Sequence, residues 1–202
     1  AIVAGGRTAL AGIMSRAGVE TTVLPRRSAT LRNWIKALRI HQWSKNFLLF
    51  APLVLSHEYA QPELLLRTIL AWCLFGMVAS ASYLLNDLSD LAADRQHPTK
   101  RFRAVAAGLI SISTALSLSA ALLVGGIVGA WLLHPPFCMI LSVYLVVTLA
   151  YSLWLKSQPM VDVATIAALF GLRITAGMVI VNHPVSLWLV TFTLVLFLSL
   201  AL

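Results

Sequence analysis

Asn86-Asp87-Leu88-Ser89-Asp90-Leu91-Ala92-Ala93-Asp94-Arg95-Gln96-His97-Pro98-Thr99-Lys100-Arg101-Phe102-Arg103 lies between two long apolar runs, and its reading decides how the chain is built. It carries three of the chain's four aspartates and four basic residues. On a helix, Asp87, Asp90 and Asp94 recur at spacings of three and four, so their carboxylates share one face with Asn86 at its edge. Three carboxylates stacked in this way repel one another unless a cation sits among them. Mg2+ prefers oxygen ligands and usually shares them with substrate phosphates instead of taking a full protein cage. Arg95, Lys100, Arg101 and Arg103, which follow, suit the remaining phosphate oxygens. The plainer reading is a solvated helix end, acidic and then basic. It loses ground if the stretch stands at the mouth of a membrane bundle.

Composition puts it there. The 202 residues are 59% hydrophobic and only 11% charged, with a mean hydropathy of +0.88, too apolar for a soluble domain of this length. A polytopic helical membrane protein is expected. The net charge of +8 raises the question of nucleic acid. However, the basic residues avoid the apolar runs and cluster in particular connections, which is membrane topology, and no nucleic-acid partner is expected. Cys73 and Cys138 lie inside apolar runs, so they read as small buried side chains and not as a disulfide or metal framework. Arg7 and Arg16 interrupt the opening before any long apolar core develops, so no cleavable signal is read there.

Residues 1–30 read as a soluble N-terminal segment, the tail of an upstream domain, and 31–202 as a transmembrane domain. From Arg26 to Lys45 the chain is basic, and Trp34, Ile35, Leu38 and Trp43 fall at helical intervals, the pattern of an interfacial amphipathic helix. That helix is expected to continue into the bilayer from Asn46 to about Ser56, kinked at Pro52. Five further spans are expected at 64–85, 111–133, 137–155, 160–181 and 185–202. His134-Pro135-Pro136 and Asn182-His183-Pro184 supply breaks between them. The basic connections alternate with 56–63, 134–136 and 182–184, none of which contains Lys or Arg. All four aspartates therefore fall on the positive, cytoplasmic face of what is expected to be the plasma (inner) membrane.

Tyr151, Lys156 and Asp162 form a second polar cluster on that face. Lys156 reads equally as a side chain snorkelling from a helix end. Asp162 opens a long apolar span, where a carboxylate should be exposed or paired. Arg173 follows 11 residues later, roughly 16 Å along a helix axis. A charge at that depth should face a polar cavity or a carboxylate, either as a phosphate ligand or as a structural pair. Arg67 reads as an interfacial anchor, and Gly125, Gly126, Gly129, Gly171 and Gly177 as points of close helix contact. A Ser/His/Asp hydrolase is not supported, since no G-x-S-x-G occurs. The Asp-Gly opening of CDP-alcohol phosphotransferases is also missing.

The Asn86-Asp87-x-x-Asp90-x-x-x-Asp94 pattern resembles the first aspartate-rich motif of the UbiA superfamily of intramembrane prenyltransferases. The longer run from Tyr83 through Asp94-Arg95-x-His97-Pro98-x-Lys100-Arg101-x-Arg103 to Ala106-Ala107-Gly108 is similar to its decaprenyl-phosphate phosphoribosyltransferase branch. Arg39 with Gln42-Trp43-x-Lys45-Asn46, Tyr151-Ser152-x-x-Leu155-Lys156 with Asp162-Val163, and Gly171-Leu172-Arg173 with Gly177 agree. Ala104 stands where the family usually has Pro. The second motif has a single clear carboxylate, Asp162, which favours the phosphoribosyl branch.

The resemblance implies an all-α bundle of about nine spans, of which six are present here, so a C-terminal truncation is expected. It implies Mg2+ held by Asp87, Asp90, Asp94 and Asp162, and substrate or phosphate binding by Lys45, Asn86, Lys100, Arg101, Arg103, Tyr151, Lys156 and Arg173. The partners implied are a polyprenyl lipid, a diphosphate-bearing donor and the bilayer. The expected reaction transfers phosphoribose from phosphoribosyl diphosphate to polyprenyl phosphate. Two alternatives remain: prenyl transfer from a prenyl diphosphate to an aromatic acceptor, and a transporter or scaffold without transferase activity.

Overall fold

A computed structural model describes residues 2–3, 8–18, 22–23, 29–155, 159–184 and 186–201. Ile2–Val3 (β1) and Thr22–Val23 (β2) pair in parallel, and Thr8–Arg16 (α1) lies between them in sequence, a small departure from an all-α chain. Among the described residues, every regular element that follows is helical. Leu31–Ala37 (α2) leads through a 3₁₀ segment, Ile40–Phe50, into Ala51–Leu55 (α3). Then come Pro62–Ser89 (α4), Leu91–Gln96 (α5), Ile112–Leu133 (α6), Pro135–Leu153 (α7), Pro159–Ile180 (α8) and Leu187–Ala201 (α9).

Among the described residues four helices, α4, α6, α7 and α8, are long and apolar enough to cross a membrane, and α9 is a shorter apolar helix. This is an integral membrane protein. The helix ends follow local chemistry. Pro62 and Pro135 stand in the first turns of α4 and α7, where a missing N–H costs no hydrogen bond. His134, immediately before Pro135, is extended at φ −165°, ψ 110°, as the following ring demands. The Ser111 hydroxyl caps α6 by accepting from the Thr114 N–H at 3.1 Å. Burial separates inner from outer helices: 50% of the spanning window of α8 and 44% of that of α4 are buried, against 22% for α7 and 17% for α6.

The first expected span is corrected. Instead of one helix running from the basic segment past Pro52, the path breaks at Arg39, whose backbone is left-handed (φ 50°, ψ 41°). The Leu38 carbonyl, at the end of α2, accepts from the Ser80 hydroxyl of α4 at 2.7 Å, and Ser80 in turn accepts from Trp43 Nε1 at 3.0 Å. The 3₁₀ stretch lies against both inner helices at points where they carry glycine. A Cβ on Gly76 would stand 2.6 Å from the Trp43 ring, and one on Gly177 would collide with the Leu49 carbonyl oxygen. Pro52 sits in the first turn of α3 and kinks nothing.

Candidate active site

The aspartate stretch is not one helix. α4 ends at Ser89, and α5 starts at Leu91. The Asp90 N–H still donates to the Asn86 carbonyl (3.0 Å) and the Asp94 N–H to the Asp90 carbonyl (2.8 Å), so a near-helical path is kept. The carboxylates nevertheless have different surroundings. Asp87, 5% exposed, accepts at Oδ1 from Arg39 Nη2 (2.8 Å) and from Arg103 Nη1 (3.2 Å). Asp94, 2% exposed, accepts at Oδ2 from the same Arg103 Nη1 at 2.7 Å. Two carboxylates and two guanidiniums thus form a closed, charge-balanced cluster. The loop that returns Arg103 to it is shaped by His97, whose Nδ1 accepts from the Thr99 and Lys100 N–H groups, both at 3.3 Å.

Beside this cluster is a chamber of about 370 Å³ between the end of α4 and helices α7 and α8. It brings together Lys45, Asn86, Asp90, Lys100, Arg103, Tyr151 and Arg173 of the residues expected from sequence. Asp87 and Asp94 are off its wall. Asp162 meets it indirectly, through a hydrogen bond with the Tyr151 hydroxyl. Arg101 is turned away, exposed, with its guanidinium 4.9 Å from the centre of the Phe102 ring. Lys156 lies outside the described residues.

Arg173 dominates the chamber's electrostatics. It is 5% exposed. Its Nε donates to Asn46 Oδ1 (3.0 Å), Nη1 to the Leu169 carbonyl (2.7 Å) and Nη2 to the Tyr144 hydroxyl (3.1 Å). The rings of Tyr144, Phe170 and Phe75 lie 5.0, 5.3 and 5.5 Å from the guanidinium carbon. Every one of these partners is uncharged, and among the described residues no acidic side chain pairs with Arg173. A buried guanidinium satisfied only by neutral acceptors keeps its full field for a ligand. Lys45, also on the wall, has its ammonium pKa held below the usual lysine range, first by burial and then by the positive charges of Arg173 and Arg39.

Sequence reasoning missed Asn46, Tyr144 and the pairing role of Arg39. Asn46 is 1% exposed and leads into Phe47-Leu48-Leu49; an amide at the head of an apolar run was the available signal. Tyr144 inside an apolar span offered the same kind of signal. Arg39 spans two surroundings, since its guanidinium also lies 4.5 Å from the centre of the Tyr83 ring.

The donor set suits Mg2+ in kind. Asn86 and Asp90 present hard oxygens to the chamber, and Asp162 Oδ1 is buried without a hydrogen-bond partner. Among the described residues no three acidic or histidine side chains converge into a cage. That accords with an ion that completes its coordination with substrate phosphates.

Comparison with known proteins agrees with this architecture. The chain is 44% identical over 203 residues to the uncharacterized protein y4nM of Sinorhizobium fredii, covering 100% of this chain and 39% of that protein. It is 40% identical over 158 residues to decaprenyl-phosphate phosphoribosyltransferase of Mycobacterium tuberculosis, covering 76% of this chain and 52% of the relative. It is 34% identical over 168 residues to nodulation protein NoeC of Azorhizobium caulinodans, covering 83% of this chain and 54% of that protein. The chain thus spans roughly half or less of these relatives' lengths. The fold matches a solved structure described as giving insights into the biosynthesis of digeranylgeranylglyceryl phosphate synthase in membranes. The TM-score is 0.69 at 18% identity, over 83% of this chain and 58% of the other. Residues 47–202 match the UbiA prenyltransferase family, to which the chain belongs.

Proposed function

We propose that this chain forms the catalytic chamber of a membrane transferase that moves phosphoribose from phosphoribosyl diphosphate to a polyprenyl phosphate. The observation that carries the reading is Arg173, a buried cation whose partners among the described residues are all neutral, facing a chamber that also holds Lys45, Lys100 and Arg103. Such a site is built for a polyanion. The substrate pair comes from the relatives named decaprenyl-phosphate phosphoribosyltransferase.

In this reading Arg173, Lys45 and Lys100 bind phosphate oxygens and fix the donor with its sugar carbon toward the lipid phosphate. The bond between that carbon and the diphosphate oxygen breaks, and its electron pair leaves with the diphosphate. An oxygen of the polyprenyl phosphate forms the new bond to the same carbon, and no proton is transferred. Of the four aspartates expected from sequence, Asp90 and Asp162, with Asn86, are the ones that would hold Mg2+ jointly with the diphosphate, and the ion would neutralise charge on the leaving group. Asp87 and Asp94 instead hold Arg39 and Arg103 in place at the chamber's edge. The lipid chain is assigned to the α8 side of the chamber, where Ile166, Leu169 and Phe170 give an apolar wall. The motif end of the bundle is assigned to the cytoplasmic face of the plasma membrane, supported by the absence of Lys and Arg from 56–63, 134–136 and 182–184. Residues 1–30 are assigned to a separate N-terminal unit and 31–202 to the transmembrane domain, supported by the β1–β2 pairing outside the helical bundle.

The test is transfer of label from phosphoribosyl diphosphate into the lipid fraction, by membranes carrying the protein. Asp90→Ala and Asp87→Ala are each expected to lower it by at least about a hundredfold while membrane insertion is unchanged. Retained transfer in either variant overturns the assignment.

A further inference from the structure

A second cavity, of about 410 Å³, lies across the Arg39–Asp87–Arg103 ion pairs from the chamber. Its wall draws on α2 through Lys36, on the start of the 3₁₀ segment through His41, and on the loop after α5 through Thr99 and Phe102. Arg39 and Arg103 line both cavities, whereas Lys36 and His41 line only this outer one, and Lys45 and Arg173 only the chamber. With Arg39 and Arg103 balanced by Asp87 and Asp94, the outer wall carries one positive charge in excess, that of Lys36. Asp87 is already shared by both arginines at a single oxygen, so it gives Lys36 no ion pair. A guanidinium has five donors in a planar fork and can serve a carboxylate and a phosphate together. Arg39 is fixed at this boundary in a left-handed conformation, which a residue other than glycine keeps only where the surroundings impose it.

We propose that the outer cavity is a second anion site, which receives a phosphate or diphosphate group independently of the chamber. Lys36 supplies the attracting charge, the outward donors of Arg39 and Arg103 supply charge-assisted hydrogen bonds, and the polar groups of Asn33, Gln42 and Thr99 add more. Two sources offer this chemistry: a soluble diphosphate, or the headgroup of an anionic lipid. The second is at hand because α2 leaves Leu31 and Ile35 exposed, as an interfacial helix does.

The experiment is isothermal titration of inorganic pyrophosphate into the purified full-length protein in nanodiscs of neutral lipid. Two binding events are expected. The double variant Lys36→Gln/His41→Asn weakens one of them about tenfold or more and leaves the other unchanged. Lys45→Gln does the reverse. Replacing part of the lipid with phosphatidylglycerol abolishes the Lys36-dependent event if the occupant is a lipid headgroup, and leaves it unchanged if the occupant is soluble. No binding at all, or binding that is insensitive to Lys36→Gln/His41→Asn, overturns the proposal. Loss of the Lys45-dependent event alone counts against the transferase reading and leaves the outer site standing.

Discussion

Arg173 was legible in sequence as a charge too deep in an apolar span to be idle, but its partners were not. They come from Asn46, 127 positions away, and from Tyr144 and backbone on neighbouring turns. Periodicity carries no information about contacts of that range. Their neutrality gives a test by charge alone. Asn46→Asp keeps the size of the side chain and the bond to Arg173 Nε, but adds a carboxylate counter-charge. The protein should fold, and its affinity for phosphoribosyl diphosphate in a binding titration should fall roughly tenfold to a hundredfold, the worth of a hydrogen bond to a charged group. Lys45 supplies a pH signature. Its pKa lies below the ordinary lysine value, so the free protein loses this charge at a lower pH than an exposed lysine does. Anion affinity should therefore weaken as pH rises through that depressed value, and the alkaline fall should vanish in Lys45→Gln, as measured by the same titration across pH.

At the level of elements, the apolar runs and the prolines between them located α4, α6, α7 and α8 well, because a run of about 20 apolar residues bounded by Pro has few other readings. Two features escaped. The break at Arg39 has no local signature, since arginine is not a left-handed former; it is held by Asp87, Tyr83 and the Ser80 bond to Leu38. The carboxylates at three-and-four spacing were expected to face one ion together. Arg103 folds back from the loop to pair with two of them, and Asp90 lines the chamber instead. Close contact of the 3₁₀ segment with α8 depends on Gly177. Gly177→Ala drives a Cβ into the Leu49 backbone, which cannot swing aside, and should destabilise the protein by about 1–3 kcal/mol in thermal unfolding in detergent. Gly125→Ala, which meets only the flexible Met77 methyl at 3.3 Å, should be tolerated.

For the whole molecule, the charge asymmetry of the connections and the depth of Arg173 converge on one end of the bundle, where the chamber opens. At the opposite end Glu58 and His183 meet at 2.9 Å, and Arg67 pairs with Glu63 at 2.7 Å, local ties with no part in the chamber. Membership of the UbiA prenyltransferase family accounts for this bundle, while the identity of the donor turns on chemistry that the fold shares among its members. The direct measurement offers membranes carrying the full-length protein, with Mg2+, either labelled phosphoribosyl diphosphate with polyprenyl phosphate or labelled prenyl diphosphate with an aromatic acceptor. Label from phosphoribosyl diphosphate should appear in the lipid fraction and be lost in Asp90→Ala. Label moving only from the prenyl diphosphate, or from neither donor, would contradict the account.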